Sequence, residues 1–433
     1  MFKLRPFIGG VHPPENKHLS CDKEIIPIPA PEILFFPLSQ HTGAPCQPVV
    51  QKGDKVKRGT LIGTCEKLIS SPIHSSVSGT VKSIENSSHP VIGRFQSIVI
   101  ENDKQDLTEE SISPKKNTEN LSADEIIKIV RDAGIVGLGG AAFPTHVKLS
   151  PPKEKVIKTF IANGAECEPY LTCDQRLMQE MGKEIVEGIK LVRKILNSER
   201  CIIAIENNKP DAIEQIKELT RNENIEVIAI KVKYPQGGEK QLIKTVLGKE
   251  VPSGGLPMDV GVVVHNVGTL LAIYEAVNFG KPLYERAITV TGAVKNPGNY
   301  LVRIGTPVKD ILDFCQVDWD NIGKIILGGP MMGISQQDIQ TPIIKGTSGI
   351  LVQTKDEITQ DEEFSCIRCA KCIEVCPAYL LPTQIAKVVK AEKWERLSQL
   401  HIKDCIECGC CTYVCPSKIP LVQYIKLGKI KTK

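Results

Sequence analysis

Two cysteine runs near the C-terminus constrain this chain most. Cys366-x-x-Cys369-x-x-Cys372-x-x-x-Cys376-Pro377 is followed by the same spacing at Cys405, Cys408, Cys411, Cys415 and Pro416. A run of this form folds three thiolates around one face of a [4Fe-4S] cube, and its proline turns the chain so that the fourth sulfur reaches the other cube. The spacing therefore predicts that Cys366, Cys369, Cys372 and Cys415 hold one cluster, and that Cys405, Cys408, Cys411 and Cys376 hold the other. A pair of zinc sites is the competing reading of Cys-x-x-Cys. Zinc, however, requires neither the third cysteine, the fourth nor the proline, and here all of them occur twice. Two cubes in one chain imply one-electron transfer. Cys410, between two ligands, reads as a bystander thiol.

At 433 residues the chain is too long for a single core, so two to four domains are expected. No apolar run reaches the roughly 18 residues of a membrane-spanning helix. The N-terminus, MFKLRPFIGGVHPPENK, lacks the apolar stretch of a signal peptide. Sixteen cysteines without an export signal predict a reducing, cytoplasmic setting. The net charge of +4, from 54 basic and 50 acidic residues, is too small to imply a nucleic-acid partner. Lys426, Lys429, Lys431 and Lys433 read as a solvated tail rather than a membrane contact.

Five regions are expected. Residues 1–101 hold an N-terminal segment and, from residue 33, short apolar strands between glycine turns. GDKVKRGTLIG followed by VSGTVKSI is similar to the two halves of a biotinyl/lipoyl-type barrel-sandwich. The methionine-flanked carrier lysine is missing, so Lys67 is read as a surface residue. Residues 102–120 are polar and aperiodic, which predicts a linker. Residues 121–282 open with a capping box at Ser122 and Glu125 and then alternate apolar strands with amphipathic helices, including one over 179–196, as a parallel α/β sheet requires. Residues 283–352 form a compact β-rich module resembling a soluble-ligand-binding β-grasp domain. Residues 353–433 carry the cysteine runs. PTQIAKVVKAEKWERLSQL, between them, reads as helix, so an α-helical ferredoxin module is expected. The fold class is thus multidomain α/β and β with a two-cluster ferredoxin module.

Gly137-Leu138-Gly139-Gly140-Ala141-Ala142-Phe143-Pro144-Thr145 follows a helix, not a strand, and so fails the Rossmann fingerprint test. Glycines nonetheless let backbone N–H groups approach a phosphate closely. GLGGAAFPTHVK is similar to the FMN-binding loop of the flavoprotein subunit of respiratory complex I. NGAECEP, YPQGGEKQLIKTVLG and HNVGTL resemble that family's other flavin segments, in the same order. The resemblance implies that Gly137, Gly139, Gly140 and Lys148 cradle the phosphate and ribityl chain of FMN, with Asn163 and Asn266 nearby. It also implies that Glu166, Glu168, Tyr234 and Glu239 line the flavin and nicotinamide side. Leu138, Ala165, Gly238 and His265 depart from the family's arginine, aspartate, glutamate and asparagine.

Taken with GGVHPPENK and PLSQHTGAP near the N-terminus, the module order resembles the C subunit of Rnf complexes, the membrane-bound ferredoxin:NAD oxidoreductases of bacteria. That resemblance implies FMN and two [4Fe-4S] clusters as cofactors, NAD(H) as substrate and no catalytic acid or base. It further implies other membrane subunits as partners, an iron-sulfur subunit among them, with ferredoxin reached indirectly. The place implied is the cytoplasmic face of the membrane. Two alternatives stand beside it: a soluble reductase such as a cobalamin reductase, and a relay module that has lost flavin and nucleotide.

Overall fold

The flavin-segment region forms one four-stranded parallel sheet: β1 (Thr159–Gly164), β2 (Arg200–Glu206), β3 (Glu226–Ile230) and β4 (Val262–Asn266), in the order β3-β2-β1-β4. The strands are apolar on both faces because helices cover both. Phe160, Ile203 and Val263 pack toward the helices Gly182–Leu196 and Val267–Phe279. Ile161, Ile202 and Val264 pack toward Glu239–Leu247 on the other side. Strand order reverses between β1 and β4, and in open α/β sheets that switch point opens a crevice beyond the carboxyl ends. The computed structural model describes residues 6–358 and 362–432, which leaves Lys433 outside.

Two small sheets make the barrel-sandwich. One contains Ile33–Pro37, Gly93–Asn102, Gly79–His89 and Lys55–Val56; the other contains Gln47–Pro48, Leu61–Thr64 and Ile73–His74. Leu34, Phe36, Ile62, Ile98 and Ile100 fill the space between them. The β-grasp module is a six-stranded sheet against the helix Val308–Phe314. In the ferredoxin module, Pro382–Lys390 packs on Leu421–Lys431 through Ile385, Val389, Leu421 and Ile425.

Several expectations are corrected. Residues 25–27, expected only as part of the N-terminal segment, add a parallel edge strand to the β-grasp sheet, opposite Asn299–Leu301. Residues 102–120 are a strap rather than a loose linker. Arg58 N–H donates to Leu107 O on the barrel-sandwich side, while Ser113 and Lys115 donate to Phe279 O and Asn278 O at the end of a flavin-module helix. The helix expected over 179–196 is two helices that meet at Met181. The helix from Pro382 stops at Lys390 and continues as short 3-10 turns. The capping box at Ser122 and Glu125 is present.

Candidate functional site

The crevice at the switch point is flanked by two asparagines. Asn163 and Asn266 are register partners at the ends of β1 and β4. Asn163 Nδ2 donates to Gly237 O at 2.9 Å, which ties β1 to the 233–238 loop. Asn266 caps its helix by accepting from Gly268 N–H at 2.8 Å, and donates to Asp174 Oδ2 at 2.6 Å. Burial, then the neighbouring Glu166 charge, raises the Asp174 carboxyl above its ordinary range. Glu166 accepts from Asp174 N–H at 2.7 Å and so adds a second carboxylate to this wall.

The glycine loop lies over the same edge. A Cβ on Gly139 would sit 3.4 Å from Asn266 Cβ, so the loop lies in van der Waals reach of the switch point. Gly140 has φ +112°, a region that favours glycine. The loop is held from behind: Leu138 N–H donates to Thr269 Oγ1 at 2.9 Å, and Thr42 donates to Ala141 O at 2.8 Å and Ala142 O at 3.1 Å. With the Leu138, Ala141 and Ala142 carbonyls engaged, the exposed Gly139, Gly140 and Ala141 present backbone N–H groups that no described residue accepts. Such an array suits a phosphate. Lys148, beside it, pairs with Glu239 and donates to Val264 O at 2.5 Å. Open N–H groups, a lysine and amide side chains around a crevice fit a flavin mononucleotide.

Glu168 and Tyr234 are placed differently from the sequence expectation. The Glu168 carboxylate accepts from Met331 and Met332 N–H at 3.2 and 2.7 Å, pinning the Gly328–Gly333 turn. Burial pushes this carboxyl up to about 7, although both N–H groups and Lys17 pull it down. The Tyr234 hydroxyl, buried, donates to Cys408 O at 2.8 Å. Both residues join modules instead of facing the crevice.

The cysteines gather as two groups. Cys376, Cys405, Cys408, Cys410 and Cys411 line one cavity together with Pro377, Leu380 and Ile425. Cys366 and Cys415 are the thiols whose charge acts on Cys372. Cys369 is exposed. Burial pushes Cys405 and Cys411 up to about 11 and about 12, so iron binding at these thiols would release protons. Cys405, Cys408 and Cys411, with Cys376 drawn from the other run, give an apolar cavity the four soft sulfur donors that fit a cubane cluster and leave Cys410 as a fifth thiol on its wall.

Sequence reasoning missed Thr42, Asp174 and Thr269. Thr42 lies in the PLSQHTGAP phrase, which in sequence reads only as a mark of resemblance. GGVHPPENK proves to be a clasp: Gly10 N–H donates to Val375 O, Val11 and Tyr234 exchange backbone hydrogen bonds, and Lys17 Nζ donates to Glu166 O, Glu168 O and Leu171 O. Lys67 is exposed, as expected.

Four family models match in chain order: the RnfC barrel sandwich hybrid domain over residues 5–105, the Nuo51 FMN-binding domain over 130–275, the SLBB domain over 287–335 and a 4Fe-4S dicluster domain over 365–419. The chain is 49% identical, over 98% of its length and 94% of the relative's, to the C subunit of the proton-translocating ferredoxin:NAD(+) oxidoreductase complex of Clostridium ljungdahlii. It is 46% identical to the Na(+)-translocating counterpart of Acetobacterium woodii, over 98% of this chain and 96% of the relative. It is 40% identical to the C subunit of the ion-translocating oxidoreductase complex of Rhodobacter capsulatus, over 98% and 82%. A solved NAD+-reducing [NiFe]-hydrogenase shares the fold at TM-score 0.50 and 19% identity, over 73% of this chain and 62% of that one. With this identity along nearly its whole length, the chain belongs to the family of C subunits of ion-translocating ferredoxin:NAD oxidoreductase complexes.

Proposed function

We propose that this chain is the peripheral electron-transfer subunit of a membrane-bound, ion-translocating ferredoxin:NAD oxidoreductase. It passes electrons between NAD(H), FMN and two [4Fe-4S] clusters, and works at the cytoplasmic face beside other subunits of the complex. No helix among the described residues is long and apolar enough to cross a membrane, so ion movement belongs to those partners.

One observation carries the reading. The 233–238 loop that holds Asn163 at the crevice also sends Tyr234 to the backbone of Cys408. The candidate flavin site and one candidate cluster site thus share one loop as a common wall.

Bound FMN supplies the exchange between two-electron hydride chemistry and one-electron steps. In this reading the Gly137, Gly139 and Gly140 loop and Lys148 hold its phosphate end, while Asn163 and Asn266 orient it from the sheet edge. Glu166 and Glu239 stand on the nicotinamide side. Glu168 and Tyr234 fix the wall behind. No residue is assigned as a catalytic acid or base, because hydride transfer to a flavin requires none. Cys366, Cys369, Cys372 and Cys415 take one cluster, and Cys376, Cys405, Cys408 and Cys411 the other.

The test is anaerobic reconstitution with iron, sulfide and FMN, then titration with NADH under visible and EPR spectroscopy. Flavin bleaching with reduced-cluster signals is the expected result. Cluster incorporation with no response to NADH would leave a relay module and overturn the dehydrogenase role.

A further inference from the structure

The β-grasp module reaches the back of the glycine loop at two points. A Cβ on Gly346 would sit 3.3 Å from Ala142 Cβ and 3.4 Å from Gly140 O, so this turn lies against the loop. Beside it Arg286, 5% exposed on the strand Glu285–Gly292, donates from Nη2 to Leu138 O at 3.2 Å. Its Nη1 donates to Lys345 O, and its Nε to Ala287 O at 3.3 Å.

These partners are all neutral. Arg286 forms no ion pair with any described residue. Burial lowers its pKa, while Cys173 and Asp174 pull the other way. Asp174 is a weak counter-charge, because burial pushes its carboxyl up toward the neutral form and Asn266 already donates to it. A buried guanidinium without a carboxylate is costly, and a bound anion would offset that cost. Lys148 is in the opposite condition, since Glu239 already neutralises it. Leu138 is a buried apolar side chain and offers no charge of its own. Among the described residues, the uncompensated cation bonded to the loop is therefore Arg286.

Its influence on the crevice runs through one peptide group. The carbonyl that accepts from Arg286 belongs to the Leu138–Gly139 peptide, and the N–H of that peptide, on Gly139, is one of those that no described residue accepts. A cation at the carbonyl draws charge along the amide and strengthens the N–H as a donor.

We propose that Arg286 is a positioning residue for the anionic end of FMN: it fixes the Leu138–Gly139 peptide and places a positive charge behind the loop, so that the β-grasp module completes the flavin site. The inference rests on the reading of the glycine loop as the phosphate cradle.

The test compares FMN with riboflavin, which lacks the phosphate, by quenching of flavin fluorescence on the cluster-loaded full chain. R286Q is expected to weaken FMN about 10- to 100-fold, the worth of one charge-assisted hydrogen bond, and riboflavin less than about threefold. R286K keeps the charge but loses the planar fork, so its preference for FMN over riboflavin should fall by only about two- to fivefold. R303Q breaks the ion pairs of Arg303 with Glu285 and Asp106 in the same module without touching the loop, and should leave both affinities unchanged. Equal weakening of both flavins would mean that Arg286 only holds the fold, which overturns the proposal. So would an unchanged FMN affinity in R286Q, or a loss of preference in R286K as large as in R286Q. Should R286Q not fold, R286K alone decides, an unchanged preference overturning the proposal. A wild-type chain that binds FMN no more tightly than riboflavin would instead sink the cradle reading itself.

Discussion

Replacing Tyr234 with Phe removes one oxygen from the junction between the candidate flavin wall and the second cysteine loop. The side chain is 2% exposed, and its hydroxyl reaches Cys408 O at 2.8 Å. The ring remains, so packing is kept, but a buried carbonyl loses its donor. That costs about 1–3 kcal/mol. If the loss falls on opening of the loop away from the flavin module, open states become roughly 5- to 150-fold more populated, at 1.4 kcal/mol per factor of ten. Hydrogen–deuterium exchange of the cluster-loaded chain, read on a peptide covering 405–415, should accelerate by that factor. The peptide covering 366–376 should not change. Unaltered exchange at 405–415, or an equal rise in both peptides, would refute the idea that Tyr234 couples the two modules.

K148M should weaken FMN binding about 10- to 100-fold, the worth of one charge-assisted hydrogen bond, as read by quenching of flavin fluorescence; an unchanged affinity would remove Lys148 from the cradle. C415A should abolish the cluster of Cys366, Cys369 and Cys372, and C376A that of Cys405, Cys408 and Cys411, each halving iron content, so loss of the cluster of the mutated run instead would reverse the cross-run assignment. His41 and His74 are held near 4 and 3 by burial first and then by the Lys345 charge, His146 adding to it at His41. With both folded values below the unfolded one, the unfolded chain takes up protons first as pH falls under about 6.5. Near pH 5 each histidine should therefore withdraw roughly 2 kcal/mol of stability from the barrel-sandwich, and acid unfolding of H74Q should show a shallower pH slope.

The candidate cysteine ligands were legible because a cubane takes three thiolates from one short turn, so local spacing encodes the chemistry. Glycine, lysine and asparagine positions at 137–148, 163 and 266 were found by resemblance, since no local period marks a flavin crevice. Helix ends failed where propensity was overruled: the segment after Lys390 has helix-forming residues, yet Glu392 adopts φ +53° and the chain turns.

Other features were decided by tertiary structure alone. Thr42 grips a loop 99 residues away, Lys17 holds carbonyls about 150 residues along, and Tyr234 reaches Cys408 across 174 residues. None leaves a local trace, because the partners are joined only when four modules pack. Residues 25–27 carry no strand expectation in sequence, because strand pairing depends on which sheet edge lies open, and the β-grasp sheet offers one. The sequence by itself determined the candidate ligands, the module order and the family likeness, all carried by short contiguous motifs. The packed structure decided that residues 408–411 are covered while 367–371 face solvent, because cover depends on which modules lie against each loop and the cysteine spacing is the same in both.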